Sequence, residues 1–346
     1  MIQSQTTVQP GNSKTIGSVT GSDCGTNTRE DTLERSGKQD KNSNAGNSSI
    51  RLTIPKGRIQ QKVLGLLEQI GLSFLTSQSN DRSYRPVCSD PTFITKLLKS
   101  QNIPGLVALG RHDCGFSGYD WVVEQNADVV ELLDLGFDPV RIVAAMPEEL
   151  AGQGDFRKTD LSLSLGRPLI VASEYRCLAQ KFIERYQLNA IFVQTFGATE
   201  ALPPEDADII IDNTSSGATL KQNRLVIIDE VMQSTTRFIC NKKVLENPGQ
   251  RKVLEEMTML MKSTLAASSR VILEMNVSKD DFAKLVVDLP CMKAPTISEL
   301  FNGSGYAVKI SVPSKEVRTL IPQLVAKGAS DILEYKVDKI VCGAGQ

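Results

Sequence analysis

A single histidine, His112, occurs in 346 residues, and the seven cysteines are dispersed without one CxxC pair. Structural zinc requires clustered thiolates or imidazoles, so this pattern argues against such a site, and scattered, odd-numbered cysteines fit a reducing compartment. No apolar run approaches the roughly 20 residues of a membrane span. The N-terminus shows no basic region followed by an apolar stretch, so no secretory signal is read there. Neither sign of charge is in excess: 39 Lys+Arg against 40 Asp+Glu leave a net charge of -1. No global field therefore draws the chain to nucleic acid or to an anionic membrane. The expectation is a cytoplasmic protein that binds neither, in which local groups hold any anionic substrate.

What is present is ordinary for a globular chain of two or three domains, with 40% hydrophobic and 23% charged residues. Residues 1–49 stand apart: rich in Ser, Thr, Asn, Gly and Gln, without apolar periodicity, they read as a disordered tail. Order begins at Ile50. IRLTIP reads as a strand, KGR as a loop, and Val63, Leu64, Leu67 and Ile70 as one face of a helix ending at Gly71. Downstream, short apolar runs (LIVASE 169–174, AIFVQT 190–195, ADIIID 207–212, LVIIDEVM 225–232) alternate with helical patterns, which predicts α/β architecture with a buried, largely parallel sheet.

VRIVAAMP (140–147) and VMQSTTRFIC (231–240) flank the middle block. If both cross between lobes, residues 50–147 and 231–268 form lobe I and 148–230 an inserted lobe II, with a ligand cleft between them. Residues 269–346 read as strand, helix, strand, strand, helix, strand. One helix covers 278–289, opened by Ser278 and Asp281 as a capping box, and another covers 315–327. The βαββαβ order over about 75 residues predicts a ferredoxin-like domain.

The segment most informative for chemistry is ADIIIDNTSSGATL (207–220). An apolar strand ends at Asp212, and a loop of Asn213, Thr214, Ser215, Ser216, Gly217, Ala218 and Thr219 leads into a helix. Consecutive N–H groups and short hydroxyls at a helix start suit a phosphate, and an acidic residue at a strand end suits sugar hydroxyls. The residues alone leave this reading open beside a polar turn capping a helix.

Taken together, several segments resemble the ATP phosphoribosyltransferase family in its long form, over roughly residues 50 to 341. They are IPKGR, IPGLVALGRHDCGFSGYDWVVE (103–124), LIVASEYRCLAQKF, TFGATEALPPEDADIIID, SSGATL, APTISEL and KGASDILEYKVDKI. The resemblance implies a two-lobed, periplasmic-binding-protein-like core with a C-terminal ferredoxin-like (βαββαβ) regulatory domain. It implies that N1 of ATP displaces pyrophosphate from phosphoribosyl pyrophosphate, with Mg2+ carried by that substrate, as the first step of histidine biosynthesis. It implies a homo-oligomer, hexamer or dimer, inhibited by histidine.

The same resemblance assigns roles. Asp212 and Arg58 are the expected catalytic residues. Thr214, Ser215, Ser216, Gly217, Ala218, Thr219 and Glu200 join Asp212 around phosphoribosyl pyrophosphate. Lys56, Gly57, Arg58, Asp113, Gly115, Gly118, Asp120, Glu174 and Tyr175 are expected around ATP and pyrophosphate. Thr296, Ser298 and Ser330 are expected near a histidine site. Asp113 and Asp120 also suit turns, and Glu174 suits either the adenine amino group or the cap of the next helix. Asn213-Thr214 stands where many members carry an apolar pair, and Leu202-Pro203 replaces Ala-Pro. Lys96 and Lys99 loosely match a charged position before IPGLV. Two other functions stay open: the same reaction serving a purine-derived natural product, and a non-catalytic regulatory paralogue.

Overall fold

The computed structural model describes residues 49–75, 84–287, 289–292, 294–301 and 303–341; the tail expected over 1–49 lies outside them except for Ser49. The chain enters through β1 (Ile50–Lys56), with Leu52 and Ile54 fully buried, and α1 (Gln60–Gln69), which buries Val63, Leu66 and Leu67. Gly71, at φ +95°, follows the helix in the left-handed region that glycine tolerates. Next come β2 (Phe74–Leu75), β3 (Val87–Cys88), β4 (Phe93–Lys99), α2 (Ile103–Ala108), β5 (Cys114–Gly118), α3 (Tyr119–Glu124) and β6 (Val130–Asp134).

The chain then builds a second sheet from β7 (Val140–Pro147), β8 (Leu169–Ser173), β9 (Ala190–Gln194), β10 (Ile209–Thr214) and β11 (Leu225–Ser234). Four helices connect these strands: α4 (Glu148–Ala151), α5 (Leu161–Leu165), α6 (Arg176–Arg185) and α7 (Ala218–Gln222). It returns through β12 (Thr236–Cys240) and α8 (Pro248–Ser268). Strand order is β4-β1-β5-β12-β6 in the first sheet and β11-β7-β10-β8-β9 in the second.

Both sheets are mixed, a departure from the largely parallel expectation. β1 runs parallel to β4 and β5, and β8 to β9 and β10, whereas β12, β7 and β11 pair antiparallel with their neighbours. An apolar run reports burial but not direction, and these three, with β6 antiparallel to β12, are the strands entered or left at the crossings. The crossings lie at 135–139 and at Thr235, not inside strands. Residues 140–147 pair wholly within the second sheet, where Ile142, Ala144 and Met146 are core, and the expected strand 231–240 is two strands in different sheets. The two crossings run side by side: Leu135 N donates to Thr236 O (3.0 Å) and Thr236 N to Phe137 O (2.9 Å).

An Asp-Arg staple pins the amino end of each parallel set. Asp113, just before β5, accepts from Arg51 N (2.7 Å) and twice from the Arg51 guanidinium (2.6 and 3.0 Å). Asp208, just before β10, accepts from Ile170 N (2.7 Å) and twice from Arg167 (2.6 and 2.9 Å). Bidentate pairing of a buried carboxylate, with a strand-edge N–H satisfied as well, fixes register.

The C-terminal domain is β13 (Arg270–Ser278), α9 (Lys279–Val286), β14 (Thr296–Glu299), β15 (Gly305–Pro313), α10 (Val317–Ala326) and β16 (Ala329–Lys336), in the antiparallel order β14-β15-β13-β16. This is the expected ferredoxin-like fold. Ser278 Oγ accepts from Asp281 N (3.1 Å) to cap α9. Leu285, Val317, Leu320 and Leu324 cover one sheet face, whereas Val325 is 55% exposed. No helix among the described residues is long and apolar enough to cross a membrane.

Replacing Asp113 with Ala leaves a buried strand N–H and a guanidinium without their acceptor. We expect it to lower the unfolding free energy by about 2–3 kcal/mol. Urea unfolding of D113A and D113N, with the smaller loss in the amide, checks this.

Candidate active site

Parallel strands present ligand sites at their carboxyl ends. In the first sheet those ends carry Lys56 and Lys99, paired in register, then Arg58 and Gly118. In the second they carry Glu174 and Tyr175 after β8, Thr195 after β9, and the loop from Asp212. A cavity of about 130 Å³ opens between the two sheets, lined by Arg58, Gly118, Asp120, Trp121, Tyr175, Asn213 and Ser234 among others.

The loop after β10 is built by its own short side chains. Gly217 N donates to Thr214 Oγ1 (2.9 Å), and Ala218 N to Ser216 Oγ (3.3 Å). Gly217, at φ +78°, takes the left-handed turn that starts α7. With only five residues, α7 adds little dipole; the anion-binding capacity lies in the loop's N–H groups and hydroxyls.

Asp212 lies half-buried at the strand end, its carboxylate accepting from Asn213 N (2.7 Å). Burial raises its pKa from 3.8 to about 6; the Asn213 N–H opposes this, and nearby Glu200 and Glu174 reinforce it. Glu200 occupies a short 3-10 turn, Thr199–Ala201, whose Thr199 hydroxyl meets that of Thr195 at 2.8 Å. Glu174, Glu200 and Asp212 thus form an acidic edge at the carboxyl ends of the second sheet's parallel strands.

The cavity floor is a buried hydrogen-bond chain. Tyr175 OH donates to Asp120 Oδ2 (2.8 Å) and accepts from Asn213 Nδ2 (3.3 Å); Ser234 Oγ donates to Asp120 Oδ1 (2.6 Å). Burial, then the charge of Asp120, hold the Tyr175 hydroxyl far above its ordinary pKa, so it acts as a neutral donor.

The structure therefore brings Arg58, Gly118, Asp120 and Tyr175 to one cavity, with Asp212 and the 214–219 loop continuing from Asn213. Arg58 is engaged by Asp138 of the crossing segment (2.7 Å), and Lys56 lies over the Tyr84 ring at 3.9 Å. Gly57, at φ +91°, turns the chain between them.

Five of the expected residues lie outside this cavity. Asp113 sits at the amino end of β5, stapled to Arg51, at the end of the sheet opposite the cavity. Gly115 is fully inside β5: a Cβ there would come within 1.9 Å of Thr53 Oγ1, so it serves strand packing. Thr296 and Ser298 lie on edge strand β14 and Ser330 on the opposite edge strand β16, so one chain does not bring the three together. His112 lies beside Asp113, with burial and then Lys96 and Arg51 lowering its pKa.

Sequence reasoning missed Asn213 as a tyrosine partner, Ser234, Trp121 and Glu124. Their partners stand 38 to 114 positions away, a separation no local pattern reports.

Known proteins are similar to this chain. The family profile described as "ATP phosphoribosyltransferase" (HisG) matches residues 99–263, and that described as "HisG, C-terminal domain" matches 267–339. A protein named ATP phosphoribosyltransferase from Thermodesulfovibrio yellowstonii is 37% identical over 84% of this chain and 98% of its own length. One of the same name from Chlorobaculum parvum is 36% identical over 85% and 98%. Among solved structures, the ATP phosphoribosyl transferase (HisG:HisZ) complex from Thermotoga maritima aligns with a TM-score of 0.51 at 23% identity, covering 62% of this chain and 98% of that one. At that identity the structure supports the fold. The sequence relatives show that the chain belongs to the ATP phosphoribosyltransferase family.

A buried carboxyl whose pKa is raised costs the folded state stability wherever it is ionised, and the cost disappears as pH falls from about 6 towards 3.8. Asp212→Asn is therefore expected to raise stability at pH 8 by at most about 3 kcal/mol. The gain should shrink as the pH approaches 4, as thermal melts across pH 4–8 will report.

Proposed function

We propose that this member of the ATP phosphoribosyltransferase family joins ATP to phosphoribosyl pyrophosphate in the cleft between its lobes, as the first step of histidine biosynthesis. A bond forms between adenine N1 and the anomeric carbon, and the bond from that carbon to the pyrophosphate oxygen breaks. Such a displacement needs alignment and neutralisation of leaving-group charge more than it needs a covalent catalyst.

The observation that carries this reading is the Asp212 strand end running into the Thr214–Thr219 loop beside the inter-lobe cavity. In it, Thr214, Ser215, Ser216, Gly217, Ala218 and Thr219 hold the 5'-phosphate. The loop hydroxyls now holding Gly217 N and Ala218 N yield those donors to the phosphate. Asp212 accepts from the ribose hydroxyls, and Glu200 lies close enough to influence its charge. Lys56 and Arg58, with Lys99 beside Lys56, meet pyrophosphate; Arg58 exchanges Asp138 for it. Gly118, Glu174 and Tyr175 border the ATP side, with Asp120 supporting Tyr175 from beneath.

Mg2+ enters on pyrophosphate as part of that substrate. The facing carboxylates of Asp212, Glu200 and Glu174 suit a substrate that arrives carrying cationic charge. Family likeness also supports a homo-oligomer, a hexamer or dimer, with histidine as inhibitor at the C-terminal domain. Because Thr296 and Ser298 lie on the opposite sheet edge from Ser330, a site using all three takes them from more than one chain.

The test is absorbance near the adenine band with ATP, phosphoribosyl pyrophosphate, Mg2+ and pyrophosphatase, with and without histidine. A rise suppressed by histidine is expected. Asp212→Ala should lower kcat/KM on the order of a hundredfold or more. Gly217→Ala, forced into a left-handed turn, should raise the KM for phosphoribosyl pyrophosphate about tenfold. A rise indifferent to histidine favours the purine-derived pathway, and no rise with substrates still binding leaves a non-catalytic paralogue.

A further inference from the structure

Three helices in this protein are capped by the side chain of the residue that precedes them. Asp160 caps α5 through Ser162 N, Asn247 caps α8 through Gly249 N and Gln250 N, and Ser278 caps α9. Helix α6 differs. Its N-cap residue, Tyr175, makes no side-chain cap, and its hydroxyl donates to Asp120. The free N–H groups of the first turn are taken by a residue more than fifty positions away: Cys177 N donates to Glu124 Oε1 (2.8 Å) and Leu178 N to Glu124 Oε2 (3.0 Å).

Glu124 is the last residue of α3, and α3 belongs to both lobes. It follows β5 and precedes β6, both in the first sheet, and Val122 packs with Ile103, Val107 and Ile239 there. Trp121 and Val123 instead pack into the core of the second lobe. Three successive contacts from α3 then meet the β8–α6 junction: Asp120 takes the Tyr175 hydroxyl, Trp121 stacks on the Tyr175 ring at 4.6 Å, and Glu124 takes the α6 N-terminus. A carboxylate at a helix start satisfies orphan donors and complements the dipole, so it fixes where that helix begins. Here it fixes the start of α6 from the opposite lobe. Tyr175, the residue just before that start, lines the cavity, and Glu174 precedes it at the end of β8.

We propose that Glu124 is a positioning residue for phosphoribosyl transfer: it latches the start of α6 to α3, holding Tyr175 and Glu174 at the reacting distance across the inter-lobe cleft. Separation of the lobes uncaps α6 and unstacks Trp121 at once, so the latch is made only in the closed arrangement. This inference rests on the cleft being the transferase site, and wild-type turnover tests that premise by itself.

Trp121 is the sole tryptophan of the chain, so its emission reads the α3–α6 contact directly and without turnover. The experiment compares wild type, Glu124→Gln and Glu124→Asp in the full chain by steady-state kinetics, acrylamide quenching of Trp121 and thermal melting. Glu124→Gln removes the charge and one of the two acceptors. It should lower kcat about tenfold while leaving the KM for phosphoribosyl pyrophosphate within about twofold. Quenching of Trp121 should rise, with the melting temperature within about 4 °C of wild type. Glu124→Asp, which keeps the charge, should recover part of kcat. Wild-type kcat and quenching in Glu124→Gln would overturn the proposal. So would loss of helical signal with failure to bind either substrate in both variants, which would make Glu124 merely structural. If wild type itself shows no turnover, the functional reading fails, and a rise in Trp121 quenching still establishes the latch.

Discussion

The Asp120 carboxylate is the buried charge around which the cleft is organised. A desolvated carboxylate persists only when its oxygens are fully engaged, and here Tyr175 OH reaches one and Ser234 Oγ the other. Tyr175 stands at the start of α6 in the second lobe, and Ser234 is the last residue of β11, just before the chain crosses back. Asp120 N donates in turn to Ser234 Oγ (3.0 Å). One side chain thus ties the first lobe to the second and to the crossing itself. Removing any partner would leave a charge without solvation in the floor of the cavity, so the lobes, the crossing and the floor hold together as a unit.

The two lobes carry opposite charge at the carboxyl ends of their sheets. Lobe I ends its parallel strands in Lys56, Arg58 and Lys99, while lobe II ends its own in Glu174, Glu200 and Asp212. A substrate with a polyanionic leaving group, sugar hydroxyls and an associated cation has complementary needs at each edge. The chain's near-zero net charge conceals this polarity, which exists only because the fold sorts charges to the carboxyl ends of two sheets. Arg58 is paired with Asp138 on the crossing segment, so anion binding at Arg58 and the state of the crossing are physically linked.

Much of this was legible in the amino-acid order. The C-terminal domain follows from Ser278 with Asp281 and from the strand–helix alternation, both local signals. The loop from Asp212 to Thr219 was legible for the same reason: its small residues and Gly217 lie together in the chain. Strand direction was not, because the apolar runs of β7 and β12 resemble those of β8 and β10. The break at Thr235 was hidden because VMQSTTRFIC keeps strand character across it. Asp113 looked like a loop ligand because its partner, Arg51, stands 62 positions earlier. Glu124, Asn213 and Ser234 carry no local mark at all; their roles arise from which strand ends the topology brings together.

The claim that most needs direct evidence is that phosphoribosyl pyrophosphate binds along Asp212–Thr219 and engages both lobes. Hydrogen exchange of the backbone, with and without phosphoribosyl pyrophosphate and Mg2+, reads it segment by segment. Slower exchange at 213–219, together with the start of α6 and α3, is the predicted result. Protection confined to other regions, or no protection at substrate concentrations that support turnover, would contradict it.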